Sequence, residues 1–172
     1  MTLKVVIDII LGKVKIMAFE KVKEYFKSVG LENRVQEFEV SSATVQLAAI
    51  ALSCEPDRIA KSLTFCGKEN PIMVVVSGES RIDNHKFKET FGVKATMIKF
   101  DDVLNLIGHE VGGVCPFCVN ENVEVYLDIS LKKFDFVFPA CGSDNSAVKL
   151  SIEELEKYSN CIKWTDVCKE MV

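Results

Sequence analysis

Apolar residues recur at helical spacing from Ala18, at Phe19, Val22, Tyr25, Phe26 and Val29, and Gly30 supplies a stop, which predicts a first helix. Residues 36–40 alternate like a short strand, with Phe38 and Val40 on one side. Ser41, Ser42 and Thr44 then offer capping oxygens for a second helix, Val45–Leu52, rich in alanine and leucine. Glu55-Pro56-Asp57 opens another helix, with proline in the first turn where its missing N–H is harmless, and residues 58–61 complete it. Residues 62–66 and 71–77 are β-like runs separated by Gly67-Lys68-Glu69-Asn70, the turn composition of a hairpin.

Further on, Asp83 caps a helix through Phe91 that ends at Gly92, and residues 93–99 return to strand. Asp101 caps a helix over residues 103–107, stopped by Gly108. Three glycines and a proline within residues 108–116 predict an irregular loop. Residues 123–129 and 134–138 read as strands, 141–145 as a turn and 147–150 as a short strand. Ser151-Ile152-Glu153-Glu154 has capping-box spacing and opens a helix to about Tyr158. Strands and helices intermix without the regular βαβ period of a doubly wound or (β/α)8 fold. The expected fold is mixed α/β: one domain with a curved, barrel-like mixed sheet and helices outside it.

Composition narrows this picture. With 172 residues, 48% of them apolar, the chain can bury one core. The apolar runs at 72–76 and 123–129 are far shorter than the roughly 20 residues needed to cross a bilayer, so no membrane partner is expected. A net charge of −4 lacks the basic footprint of broad nucleic-acid binding, and no DNA partner is expected. Val5, Val6, Ile7, Ile9, Ile10 and Leu11 follow Lys4 in faint imitation of a signal peptide. Asp8 interrupts the run, Lys13 and Lys15 follow it, and no small-residue cleavage site closes it. Residues 1–16 are therefore read as an N-terminal extension ahead of a domain spanning 17–172. Seven cysteines without a signal sequence read as reduced thiols in a cytoplasmic protein.

Four features could carry chemistry. Cys115-Pro116-Phe117-Cys118 has the spacing of thiol-disulfide oxidoreductases, but it follows a glycine loop and precedes turn and strand instead of opening a helix. The remaining cysteines include no second C-x-x-C, which leaves a zinc site unsupported. His85 lies in a charged helical stretch, whereas His109 adjoins the glycine loop, with no nucleophile motif beside either. Lys61, at the junction of an apolar turn and a strand, reads on periodicity alone more readily as a solvated side chain than as a functional one. The glycine loop is either a tight connection or a place where backbone N–H groups approach a carbonyl or phosphate.

Together, these segments resemble the YbaK/EbsC family, which includes the editing domain of bacterial prolyl-tRNA synthetases and its free-standing relatives. Ile59-Ala60-Lys61-Ser62-Leu63, Gly112-Gly113-Val114-Cys115-Pro116, and the turn holding Gly142 and Asn145 carry the likeness by their order and spacing. The resemblance implies a deacylase that hydrolyses the ester between an amino acid and the terminal ribose of tRNA, with no metal or organic cofactor. It implies catalytic roles for Lys61 as charge anchor and for Gly112, Gly113, Val114 and Pro116 of the loop, and a substrate-assisted attack by water. Ser42, Thr44, His109, Cys115, Gly142, Ser143 and Asn145 are then the substrate-binding candidates. The implied partners are the acceptor end of a mischarged tRNA, a tip that needs few phosphate contacts, and an aminoacyl-tRNA synthetase. Gly142-Ser143-Asp144-Asn145 has one glycine and an acid where family members often carry a Gly-Gly pair and a base, and Cys115 stands where others often place a small polar residue. The identity of the amino acid stays open on these departures. A non-catalytic binding module and a thiol oxidoreductase are the competing readings.

Overall fold

The computed structural model describes residues 3–170. Helix α1 (Leu3–Ser28) extends well upstream of the pattern that begins at Ala18. Among its described side chains, those buried in the core are Phe19, Val22 and Phe26, while Leu3, Ile7, Ile9, Ile10, Ile16 and Met17 are exposed. A 3-10 turn (Glu32–Arg34) leads to β1 (Val35–Glu37), shorter than expected from the alternation because residues 38–40 bend away. Helix α2 (Val45–Leu52) has the expected bounds, with the Thr44 hydroxyl accepting from the Leu47 N–H at 3.2 Å.

Pro56–Arg58 forms only a 3-10 turn, and β2 (Ile59–Phe65) starts three residues earlier than predicted. Lys61 therefore sits within a strand and not at a helix end. β2 and β3 (Ile72–Ser77) form the expected antiparallel hairpin, in register from Ala60 opposite Ser77 to Phe65 opposite Ile72. Helix α3 (Asn84–Phe91) is capped by Asp83 and closed by Gly92, as predicted. Residues 93–99 do not form the expected strand. They touch the sheet through a single bridge, Met97 to Phe65, plus hydrogen bonds from Ile98 to the Thr64 carbonyl and from Cys66 to the Thr96 carbonyl. Helix α4 (Phe100–Ile107) is entered through Lys99, so Asp101 lies inside the first turn, where its charge favours the helix dipole without capping it.

β4 (Glu124–Asp128), a 3-10 turn (Ile129–Lys133) and β5 (Phe136–Pro139) follow. The predicted strand at 147–150 is two short pieces, β6 (Ser146–Val148) and β7 (Leu150–Ser151). Ser151 and Glu154 close the predicted capping box on α5 (Ile152–Tyr158). β8 (Lys163–Thr165) had no predicted counterpart, since three residues carry no readable alternation.

Among the described residues the strands form a curled six-stranded sheet in the order β7-β5-β2-β3-β4-β8, with β1 and β6 paired separately. Parallel and antiparallel pairs mix, and the fold is the expected single mixed α/β domain. The Phe19, Val22 and Phe26 face of α1 packs with Phe117, Leu127, Val137 and Leu150 on one side of the sheet. Phe87 of α3 packs with Val74, Val76 and Tyr126 on the other.

Candidate functional site

One consequence of the strand order is a gap. β5 pairs with β2 only at Ile59 and Ala60, and the 96–98 segment reaches β2 only at its far end. The edge of β2 between them is open. The Thr64 carbonyl and the Cys66 N–H both point to that edge, so alternation aims the N–H and C=O of Ser62 at the same edge, where no strand pairs with them. A cavity of about 400 Å³ occupies the gap, with Lys61, Ser62 and Thr64 on one wall. Val45 and Ala48 of α2, the 97–103 segment and Ser146-Ala147 close it, and Gly112 and Val114 bring the glycine loop to its lining.

Three loops converge beside this cavity. The Asp144 carbonyl accepts from the Ser42 N–H at 2.6 Å and from the Ser42 hydroxyl at 3.3 Å. A Cβ on Gly113 would lie 2.7 Å from the Gly142 carbonyl carbon and the Ser143 nitrogen, so the glycine loop and the 141–145 turn touch backbone to backbone. Gly112 takes a left-handed φ of +98° and Gly142 one of +85°, and a Cβ on Gly142 would meet the Ala18 carbonyl of α1 at 2.9 Å. The glycines thus have packing duties. The N–H of Gly113 is already donated to the Glu110 carbonyl at 3.0 Å, whereas those of Gly112 and Val114 reach no backbone carbonyl among the described residues.

The other sequence candidates separate into two groups. Ser42 and Thr44 line the cavity, Thr44 also serving as the cap of α2. The Ser143 hydroxyl donates at 2.6 Å to Ser146, a lining residue, from behind the wall. Asn145 holds Phe38 through both its side chain, at 2.8 Å, and its carbonyl, at 2.7 Å. His109, Cys115 and Pro116 are not brought to the cavity. His109 is 1% exposed, and its Nε2 lies 2.6 Å from the Phe117 carbonyl, which fixes the proton on that nitrogen. Burial holds its pKa below the ordinary imidazole value, so the ring is neutral. Pro116 lines a separate depression with Tyr25 and Cys118.

Lys61 is half-buried, and its ammonium donates to the Gly78 carbonyl at 3.1 Å and the Ser80 carbonyl at 2.8 Å. Burial lowers its pKa from the usual lysine value. Burial weighs against the thiol reading. Cys115 is wholly buried, and desolvation pushes its thiol up to about 12, opposite to the lowered pKa that a nucleophilic thiolate requires. Burial raises the Cys118 thiol as well. No group of three or more metal-binding side chains forms among the described residues.

Sequence reasoning missed Ser62, Thr64, Phe100 and Ser146 on the lining. Two hydroxyls at alternate positions of a strand that is apolar apart from them and Lys61 were a usable signal for the first pair. Phe100 and Ser146 gave none, because their place depends on how distant segments close over the gap.

Comparison with known proteins gives this geometry a setting. Residues 39–158 match the family model described as the aminoacyl-tRNA editing domain. The uncharacterized protein YwhH of Bacillus subtilis is 49% identical over 155 residues, covering 90% of this chain and 99% of that protein. A proline–tRNA ligase of Kosmotoga olearia is 31% identical over 90 residues, 52% of this chain but only 16% of that enzyme. A crystal structure of a proposed trans-editing enzyme for prolyl tRNA synthetase superposes with a TM-score of 0.80 at 27% identity, covering 89% of this chain and 98% of that one.

Proposed function

We propose, since the chain belongs to the aminoacyl-tRNA editing domain family, that it hydrolyses the ester of mischarged tRNA in trans, on tRNAs of the kind served by prolyl-tRNA synthetase. The observation that carries this reading is the cavity at the open edge of β2, whose free polar groups are backbone amides, the unpartnered Ser62 hydroxyl and the remaining donor of Lys61. Such fixed dipoles suit the developing oxyanion of an ester under attack by water, because they need no reorganisation as charge appears. In this reading the amides of Gly112 and Val114 are the oxyanion donors, and Gly113 holds the loop in place. Two of the three donors on the Lys61 ammonium hold the turn after β3, and the third serves the substrate carbonyl or terminal phosphate. Among the described residues the cavity lining includes no carboxylate or imidazole, which supports a ribose hydroxyl beside the ester as the group that places the water. Likeness to proline–tRNA ligases supports the choice of tRNA and a synthetase as the upstream partner.

The test is release of amino acid from a panel of mischarged tRNAs by wild type and Lys61→Ala side by side. Wild type is expected to deacylate at least one member, and the variant to lose about a hundredfold in rate. The absence of a carboxylate or imidazole from the described lining also favours a second reading, a module that binds the aminoacyl end without turnover. Retained binding with no release across the whole panel selects that reading.

A further inference from the structure

Of the phenylalanines, tyrosines and tryptophan, all within the described residues, Phe100 alone is exposed. It is 73% exposed, stands on the cavity rim at the first turn of α4, and makes no ring contact with another aromatic side chain. Met97, 55% exposed, and Val111, 44% exposed, line the same cavity. An apolar patch at the mouth of a cavity marks a surface that something covers.

Resting on the editing reading above, we infer that Phe100 is the platform on which the terminal base of the tRNA stacks. The ester joins the amino acid directly to the terminal ribose, so an aminoacyl group inside the cavity leaves its own base at the mouth. A base offers a flat, uncharged face that an aromatic ring accepts whatever the sequence. Asp101 and Asp102, adjoining Phe100 in the first turn of α4, disfavour a phosphate there and so select the neutral base over the backbone. Met97 and Val111 complete an apolar seat around the ring.

The experiment uses two hydrolysis-resistant probes on the full chain: a 3′-aminoacylamido-3′-deoxyadenosine, and the same aminoacylamido sugar without its base. Phe100→Ala is expected to weaken the first at least about fivefold and leave the second unchanged, while Phe100→Trp retains affinity and shows quenching of the new indole by adenine. Because the ring is exposed, the melting temperature should not move. Wild-type affinity for the adenosine probe in Phe100→Ala overturns the stacking alone, as does equal weakening of both probes. Unchanged nucleoside affinity together with loss of a concentration-dependent dimer would assign the rim to a second copy of the chain and also overturn it. Wild type that binds neither probe overturns the editing reading, and the platform with it.

Discussion

Gly113 has no room for a side chain, since a Cβ there would press on the backbone of Gly142 and Ser143, and backbone yields far less readily than a flexible side chain. Gly113→Ala is therefore expected to lower unfolding stability by roughly 1–3 kcal/mol, the range for overpacking, as measured by urea denaturation. Cys115 makes the opposite kind of prediction. With its thiol raised to about 12 and fully buried, it should resist alkylation in the folded protein at pH 8, whereas exposed Cys66 reacts first. Mass mapping of the labelled cysteines decides this, and early modification of Cys115 would restore the thiol mechanism to consideration.

At the scale of elements, legibility followed locality. Caps are local, and the ends of α2, α3 and α5 could be read because Thr44, Asp83 and Ser151 sit within a turn of the amides they bind. Ser151→Ala removes one half of a capping box and should lower stability by about 1 kcal/mol, visible as a shift in the denaturation midpoint. Strand membership is not local. Residues 93–99 alternate like a strand yet have only a short stretch of β2 to bind, and the two residues of β7 count as strand because Val137 lies opposite Leu150. The same limit applied to the site. Lys61 and both glycine segments could be read as candidates, but contact between Gly113 and Gly142, and the withdrawal of His109 into the core, depend on chain segments about 30 residues apart or on burial that no local spacing encodes.

For the molecule as a whole, Asp57 links the site region to pH. Burial raises its pKa, but Lys133, the Glu79 N–H and the Ser77 hydroxyl together outweigh burial and leave it below the ordinary aspartate value. A carboxyl depressed in the folded state stabilises the fold fully above its unfolded pKa of about 3.9 and loses that contribution as pH falls through the lower folded value. Stability against pH should thus drop more steeply below about pH 4 in wild type than in Asp57→Asn, which begins less stable at neutral pH. Denaturant midpoints at a series of pH values measure both slopes.

The glycine loop facing the open edge of β2 sets a limit on how such a protein can be dissected. Alanine scanning deletes side chains and leaves every peptide group in place, so a centre built on the amides of Gly112 and Val114 would yield no essential residue in that loop however thorough the scan. The informative edit is to the main chain itself: semisynthesis replacing residue 114 with its α-hydroxy counterpart exchanges one N–H for an ester oxygen. If the editing reading holds, side chains facing the gap could meanwhile drift over evolution, retuning which amino acid is admitted while the backbone donors stay in place.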